Sequence, residues 1–165
     1  MQGIVYQINI KPETPGERGL PKKAIDEVNL TSQGIIGDFN QYRHEEHHDD
    51  LNMALLILPL ETIVELNQED WPVKPGDLGE NITTQGISYD YFEIGRVYCI
   101  GEAIISISKI CKPCNNLKNL PYVGYERKAE FCKALNNRRG WYARVLSEGT
   151  VRKRDKITRT IYENA

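Results

Sequence analysis

Apolar and polar residues alternate at both ends of the chain. "GIVYQINI" at 3–10 switches character nearly every residue, as a half-buried strand does, because successive β side chains point to opposite faces. "LPKKAIDEVNLT" at 20–31 is also strand-like, with Ala24, Val28 and Leu30 set among polar neighbours. The pattern is lost in "QGIIGDFNQYRHEEHHDD" at 33–50, and a polar connection this long in a compact domain is expected to serve a site or to move. "LNMALLIL" at 51–58 is almost wholly apolar and predicts a strand buried on both faces. Pro59 opens "PLETIVELNQE", where Leu60, Ile63, Val64 and Leu66 fall at helical spacing behind a proline at its favoured place.

Further along, "WPVKPGDLGENITTQG" at 71–86 is turn chemistry with little periodicity. Strands are predicted at 96–100 and 103–110, joined at Gly101-Glu102, with Ile105 and Ile107 facing one way and Ser106 and Ser108 the other. "YERKAEFCKALNN" at 125–137 reads as a helix with Tyr125, Ala129, Cys132 and Leu135 near one stripe. "GWYARVLS" and "DKITRTIY" close the chain as strands. The expectation is a mainly β, β-barrel-like domain with two or three short helices. A chain of 165 residues suits one such domain over 1–165 and is short for two.

Composition and charge narrow the function. No run approaches the roughly 18 apolar residues of a membrane span, and the N-terminus reads as a first strand rather than a signal peptide. Four cysteines without a secretion signal point to reduced thiols and a cytoplasmic protein. Residues 1–102 carry 7 Lys and Arg against 18 Asp and Glu, whereas residues 103–165 carry 14 against 5. The basic segment holds three of the four cysteines. Either an anionic ligand sits near them, or the two halves attract each other in the fold.

"KICKPCNNLKNL" at 109–120 concentrates the chemistry. A zinc site needs Cys99 and Cys132 to converge on Cys111 and Cys114, since no second Cys-x-x-Cys exists. A thioredoxin-like pair expects a βαβ setting that the pattern does not show. The third reading is one working thiol at Cys114, following Pro113, where a short helix start and Lys109, Lys112 and Lys118 favour thiolate. The alternative is an inert, buried cysteine; Cys99 and Cys132, each on its own element's apolar pattern, are read that way.

Four stretches carry a family resemblance: "GIIGD" at 34–38, "PGDLGENITTQGI" at 75–87, "KPCNNL" at 112–117 and "RRGWYARVLSEGTVRKRD" at 138–155. In order and spacing, across about 23–157, the sequence resembles the MOSC domain, found at the C-terminus of molybdenum cofactor sulfurases and in small stand-alone bacterial proteins. The resemblance implies a β-barrel-like fold and maps the characteristic family cysteine onto Cys114. That cysteine is associated with sulfur carriage or with ligation of molybdenum in a pterin cofactor, and relatives of the amidoxime-reducing proteins reduce N-hydroxylated compounds. Cys111 matches no characteristic position and is incidental or able to cap Cys114 by oxidation. Sulfurases use a separate pyridoxal-phosphate domain for which this chain has no room. Many members carry histidine where "GDFN" places Asn40; His44, His47 and His48 lie near enough in sequence to stand in.

Physical reading of these stretches supplies the candidate pocket. In "PGDLGENITT", Gly79 and its neighbours permit an anion-binding concavity of backbone N–H groups, with Glu80, Asn81, Thr83 and Thr84 lining it or simply satisfying a turn. In "RRGWYARV", Arg144 lies between apolar neighbours and is favoured over Arg138 and Arg139 as the pocket arginine. Asp38 is placed to orient a ligand amine, and Lys112 to screen a ligand anion. "RHEEHHDD" is a metal site or, more ordinarily, a solvated segment. "VRKRDK" lacks interleaved aromatics, so nucleic acid is not expected.

Together these predict a molybdenum cofactor-binding or sulfur-carrier protein acting through Cys114, which also serves as the metal ligand. Its partner would be a cysteine desulfurase or an electron-transfer protein, with no membrane involved. The alternative is a non-enzymatic β-barrel binding a small anion or a protein, with Cys114 structural.

Overall fold

The structure is a computed structural model and describes residues 2–161. β1 (Gly3–Ile10) pairs along one edge with β6 (Ile82–Gln85). Its other edge is shared: Gly3 and Ile4 pair with β11 (Lys156–Thr160), and Ile8 to Ile10 pair with β2 (Lys23–Ile25). From β11 the ladder runs through β7 (Val97–Ile100), β8 (Ala103–Ile110), β9 (Trp141–Ser147) and β5 (Leu55–Pro59) back to β6. Seven strands therefore close into a barrel, and β2 extends β1 beyond the closure. A small second sheet joins β3 (Glu27–Thr31) to β4 (Gly34–Ile35) and β10 (Gly149–Arg152).

β5 shows why its sequence has no polar side. Leu55 and Ile57 fill the barrel with Val5, Ile8, Ile82 and Ile105. Leu58, pointing outward, joins Leu66, Trp71 and Phe131 under the helices, and Leu56 packs with Met53, Cys111 and Tyr142. β5 and β6 run parallel, so the chain must cross over between them. It does so through α2 (Leu60–Gln68) and the turns that follow.

Several expectations are refined. The polar stretch 33–50 contains β4 and a short helix, α1 (Gln41–His47), wound around Arg43. The buried Arg43 guanidinium donates to the backbone carbonyls of Gln33, Asp49 and Asp50 at 2.6–2.9 Å. Residues 51–53 form a 3-10 turn before β5 starts. The turn-rich segment 71–86 ends in β6, whose Thr83 and Thr84 are wholly buried. Helix α3 (Lys128–Ala134) is shorter than predicted; Phe131 and Leu135 are its buried side, and Tyr125 lies exposed before it. Of the last predicted strand, Tyr162 lies outside the described residues. No helix among the described residues is long and apolar enough to cross a membrane.

Candidate functional site

A cleft lies against the outer wall of the barrel, where β5 and β9 meet the segment leaving β8. Leu56 and Tyr142, register partners across the β5–β9 ladder, form its floor. The β8–β9 pairing continues one step past β8, where the Cys111 N–H donates to the Gly140 carbonyl at 2.8 Å. This sets Cys111 beside the residue that enters β9, Arg139, and both border the cleft. Gly140 makes the entry possible. Its φ is +121°, and a Cβ there would lie 2.8 Å from the Ile57 carbonyl oxygen.

Cys114 stands at the mouth. It is partly exposed and immediately precedes a 3-10 turn, Asn115–Asn119, whose Leu117 N–H donates to the Cys114 carbonyl at 3.3 Å. Lys112, Asn116, Asn40 and Tyr42 complete this side. Cys111 is only 4% exposed. Burial pushes its thiol above the ordinary range; Arg139 and a hydrogen bond with Tyr142 partly oppose this, and the Cys114 charge adds to it. Burial likewise pushes the Tyr142 hydroxyl far up, with Cys111 contributing. Cys111 is therefore a protonated wall group at neutral pH.

Arg139 is the unusual member. It is 4% exposed, yet its Nε and Nη1 have no hydrogen-bond partner, and no ion pair is made to it among the described residues. Burial works against its charge, but Cys111, Cys114, Tyr142 and Glu80 together raise its proton affinity above the ordinary value. A buried polar group without a partner is costly and calls for a reason. Lys22, the other buried cation on the wall, is already committed: its ammonium pairs with Asp38 at 2.6 Å.

The predicted site residues divide between the cleft and the scaffold behind it. Cys114, Lys112 and Gly79 border the cleft. Gly79 has φ +79°, and a Cβ there would meet Leu20 at 2.5 Å. Asp38 does not border it; its carboxylate accepts from Lys22, the Lys11 N–H (2.8 Å) and the Asn81 amide (2.8 Å). Asn81 in turn accepts from the Leu56 N–H at 3.1 Å, fastening β6 to β5. Buried Glu80 accepts from the Gly76 N–H at 2.6 Å and the Thr83 hydroxyl at 2.9 Å, its other oxygen unpartnered. Thr84 is buried in β6 and also falls outside the cleft lining. The expected open concavity at 75–84 is thus a closed polar network, because its side chains turn onto their own backbone.

Arg144 shares the outer face of β9 with Tyr142 but lies two residues further along, on a separate exposed hollow with Asn52 and Lys109. Alternation along β9 puts it opposite the buried Ala143 and Val145. Arg144 is therefore not brought to this cleft, whose lining includes Arg139 instead. The signal available in sequence was the arginine directly before the glycine that opens a strand. The three histidines also stay out of the cleft; His44 instead pairs with Asp49 at 2.9 Å. Asn40, where many relatives have histidine, caps α1 by accepting from the Arg43 N–H at 3.0 Å while bordering the cleft. Among the described residues, no group of three or more His, Cys, Asp or Glu side chains is placed to hold a metal. In "VRKRDK", Arg152 is engaged by Glu27 and Glu102.

Fold and cleft together define a closed β-barrel protein carrying an accessible thiol beside a buried, uncommitted cation. The chain belongs to the MOSC domain family, whose sequence model matches residues 44–158, a family associated with molybdenum cofactor-related proteins. It is similar in structure to YiiM from Geobacillus stearothermophilus, with 23% identity, TM-score 0.72, and 96% of this chain and 75% of that one covered. YuaD from Bacillus subtilis superimposes with TM-score 0.77 at 18% identity over 95% of this chain and 94% of that one. YiiM from Escherichia coli gives TM-score 0.67 at 22% identity, covering 100% and 72%. At these identities the likeness establishes the fold. No curated protein sequence matches the chain significantly.

Proposed function

We propose that the protein is a sulfur carrier in molybdenum cofactor metabolism, with Cys114 holding the transferable sulfur as a persulfide. The observation that carries this reading is that partly exposed Cys114 and a buried guanidinium with two unpartnered donors border one cleft. A persulfide is an anion at neutral pH, and a cation held in a low-dielectric wall favours the anionic form. Cys111, kept protonated by burial, does not compete for the same sulfur. The sulfur would come from a cysteine desulfurase acting as partner.

The same open donors favour a second reading, in which the cleft receives the cofactor itself. The residues fit such a group: Cys114 is a soft ligand for its metal, and Arg139 and Lys112 are cations for its anionic oxygens. When bound, that cofactor supplies two-electron reduction of N-hydroxylated compounds, with electrons from a transfer protein. Cys114 would hold it at the mouth, and Tyr142 and Leu56 would exclude water from the floor.

Intact mass measurement after incubation with a cysteine desulfurase and cysteine tests the first reading. One reducible sulfur atom is expected on the wild type and none on Cys114→Ser. Protein purified from a cell that makes molybdopterin tests the second, with molybdenum expected at one per chain and lost in the same variant. Finding neither leaves a binding barrel with a structural cysteine.

A further inference from the structure

The sulfur-carrier reading leaves open what small molecule, if any, the cleft can take sulfur from directly. Arg139 has properties of an incomplete binding site. It borders the cleft, it is buried, and its Nε and Nη1 meet no acceptor. Paired with Nη2, either of these atoms makes a guanidinium fork that suits two oxygens of one oxyanion. Surrounding charges do not supply the missing partner. Asp38 is taken by Lys22, and the Glu80 carboxylate is turned onto Gly76 and Thr83. Burial also raises the Glu80 carboxyl, which weakens it as a counter-ion. A phosphate or sulfate would satisfy Arg139 but offer nothing to the thiol next to it. A ligand that answers both features carries an oxyanion at one end and a soft, electrophilic sulfur at the other.

Resting on the sulfur-carrier reading, we infer that the cleft accepts sulfur from a thiosulfonate-type anion, thiosulfate being the simplest, with Arg139 binding the sulfonate oxygens and Cys114 taking the outer sulfur. The step balances without any other reagent. The Cys114 thiolate forms a bond to the outer sulfur as that sulfur's bond to the sulfonate sulfur breaks. The bonding pair departs with the sulfonate, giving sulfite. A thiolate and a dianion thereby become a persulfide anion and a dianion. Negative charge grows on the departing group as the bond breaks, which is where Arg139 would act. Its role is therefore binding and leaving-group stabilisation, of the kind a fixed donor performs in other anionic transition states.

The test uses the full chain, thiosulfate as the anionic donor, and dimethyl trisulfide as an uncharged electrophilic sulfur. The Cys114 thiolate opens the latter to a mixed disulfide or trisulfide, with methyl perthiolate or methanethiolate leaving. Thiosulfate should add one sulfur to Cys114 and release one sulfite per chain, with no reaction in Cys114→Ser. Arg139→Gln, checked for folding by circular dichroism, should slow the thiosulfate reaction about 100-fold or more and the trisulfide reaction by much less. The ratio of the two rates then reports loss of anion binding beyond any change in thiolate content. Excess sulfate should compete with thiosulfate on the wild-type protein and not with the trisulfide, a result that needs no variant. Reaction with trisulfide but not with thiosulfate overturns this inference and leaves sulfur carriage standing. Reaction with neither, and no sulfur accepted from a desulfurase, overturns both. An Arg139→Gln variant that reacts with thiosulfate at the wild-type rate removes Arg139 from the site.

Discussion

Arg138 donates to the Ala134 carbonyl at 2.6 Å and to Glu69 at 2.7 Å, with Glu65 3.9 Å away. Arg139, one residue further, has burial on all sides and no partner for Nε or Nη1. The two have identical chemistry and differ only in which way the chain turns before Gly140. Arg138 ties the end of α3 to α2 and is used up by the fold. Arg139 makes no comparable contact: neighbouring groups offset the burial of its charge, but no acceptor meets its Nε or Nη1. A side chain kept at a cost to stability is one whose compensation comes from outside the chain. The same contrast separates Cys111, a wall group, from Cys114, which faces the opening.

Four substitutions sharpen or break this contrast. Replacing Arg139 with Met should have the largest effect, raising the ligand-free stability by about 1–3 kcal/mol in urea unfolding because buried donors without acceptors are removed. A loss of stability would mean that Arg139 serves the fold as Arg138 does. Glu80→Gln comes next and acts through pH. Burial raises the Glu80 carboxyl above its ordinary 4.5, so the folded chain holds that proton more tightly than the unfolded chain. Its contribution to stability is full below pH 4.5 and is lost as pH rises through the folded value. Urea midpoints of Glu80→Gln should therefore fall less steeply than wild type across that interval; an unchanged slope would mean that Glu80 stays ionised in the fold. Arg138→Ala should cost about 0.5–1 kcal/mol, shrinking in high salt as expected of a partly exposed ion pair. Arg144→Ala should fall within about 0.5 kcal/mol and leave sulfur loading untouched; a loading defect would return Arg144 to the site.

Much of this was legible in the chain itself. Alternation in 103–110 located β8 and its buried Ile105 and Ile107, and the unbroken apolar run located β5 with two buried faces. Cys114 was legible because proline and asparagines around it signal a strand end and a turn. Two elements were not. β6 was hidden inside "GENITTQG" because its threonines are buried by neighbours from β1 and β5 rather than by an apolar pattern of their own. Helix α1 was hidden because it is organised by Arg43 bonding to carbonyls, not by an apolar stripe. Arg139 was passed over for Arg144 for the same kind of reason. It shares the cleft lining with Leu20, Lys22, Gly79 and Cys111, and these are far apart along the chain.

The pairing of Gly3 and Ile4 with Ile157 and Lys156 has a bearing on how the molecule is made. At a ribosome β1 emerges before every other strand of the barrel, and β11, the stave that seals it to β7, follows all of them. For the roughly 10 s or more that synthesis of the intervening chain takes at typical elongation rates, β1 presents an open edge, and β7 adds a second once it is made. Until β11 slots between them, the nascent chain is at its most exposed to edge-to-edge association, and this protein's dependence on chaperones should be concentrated in that window.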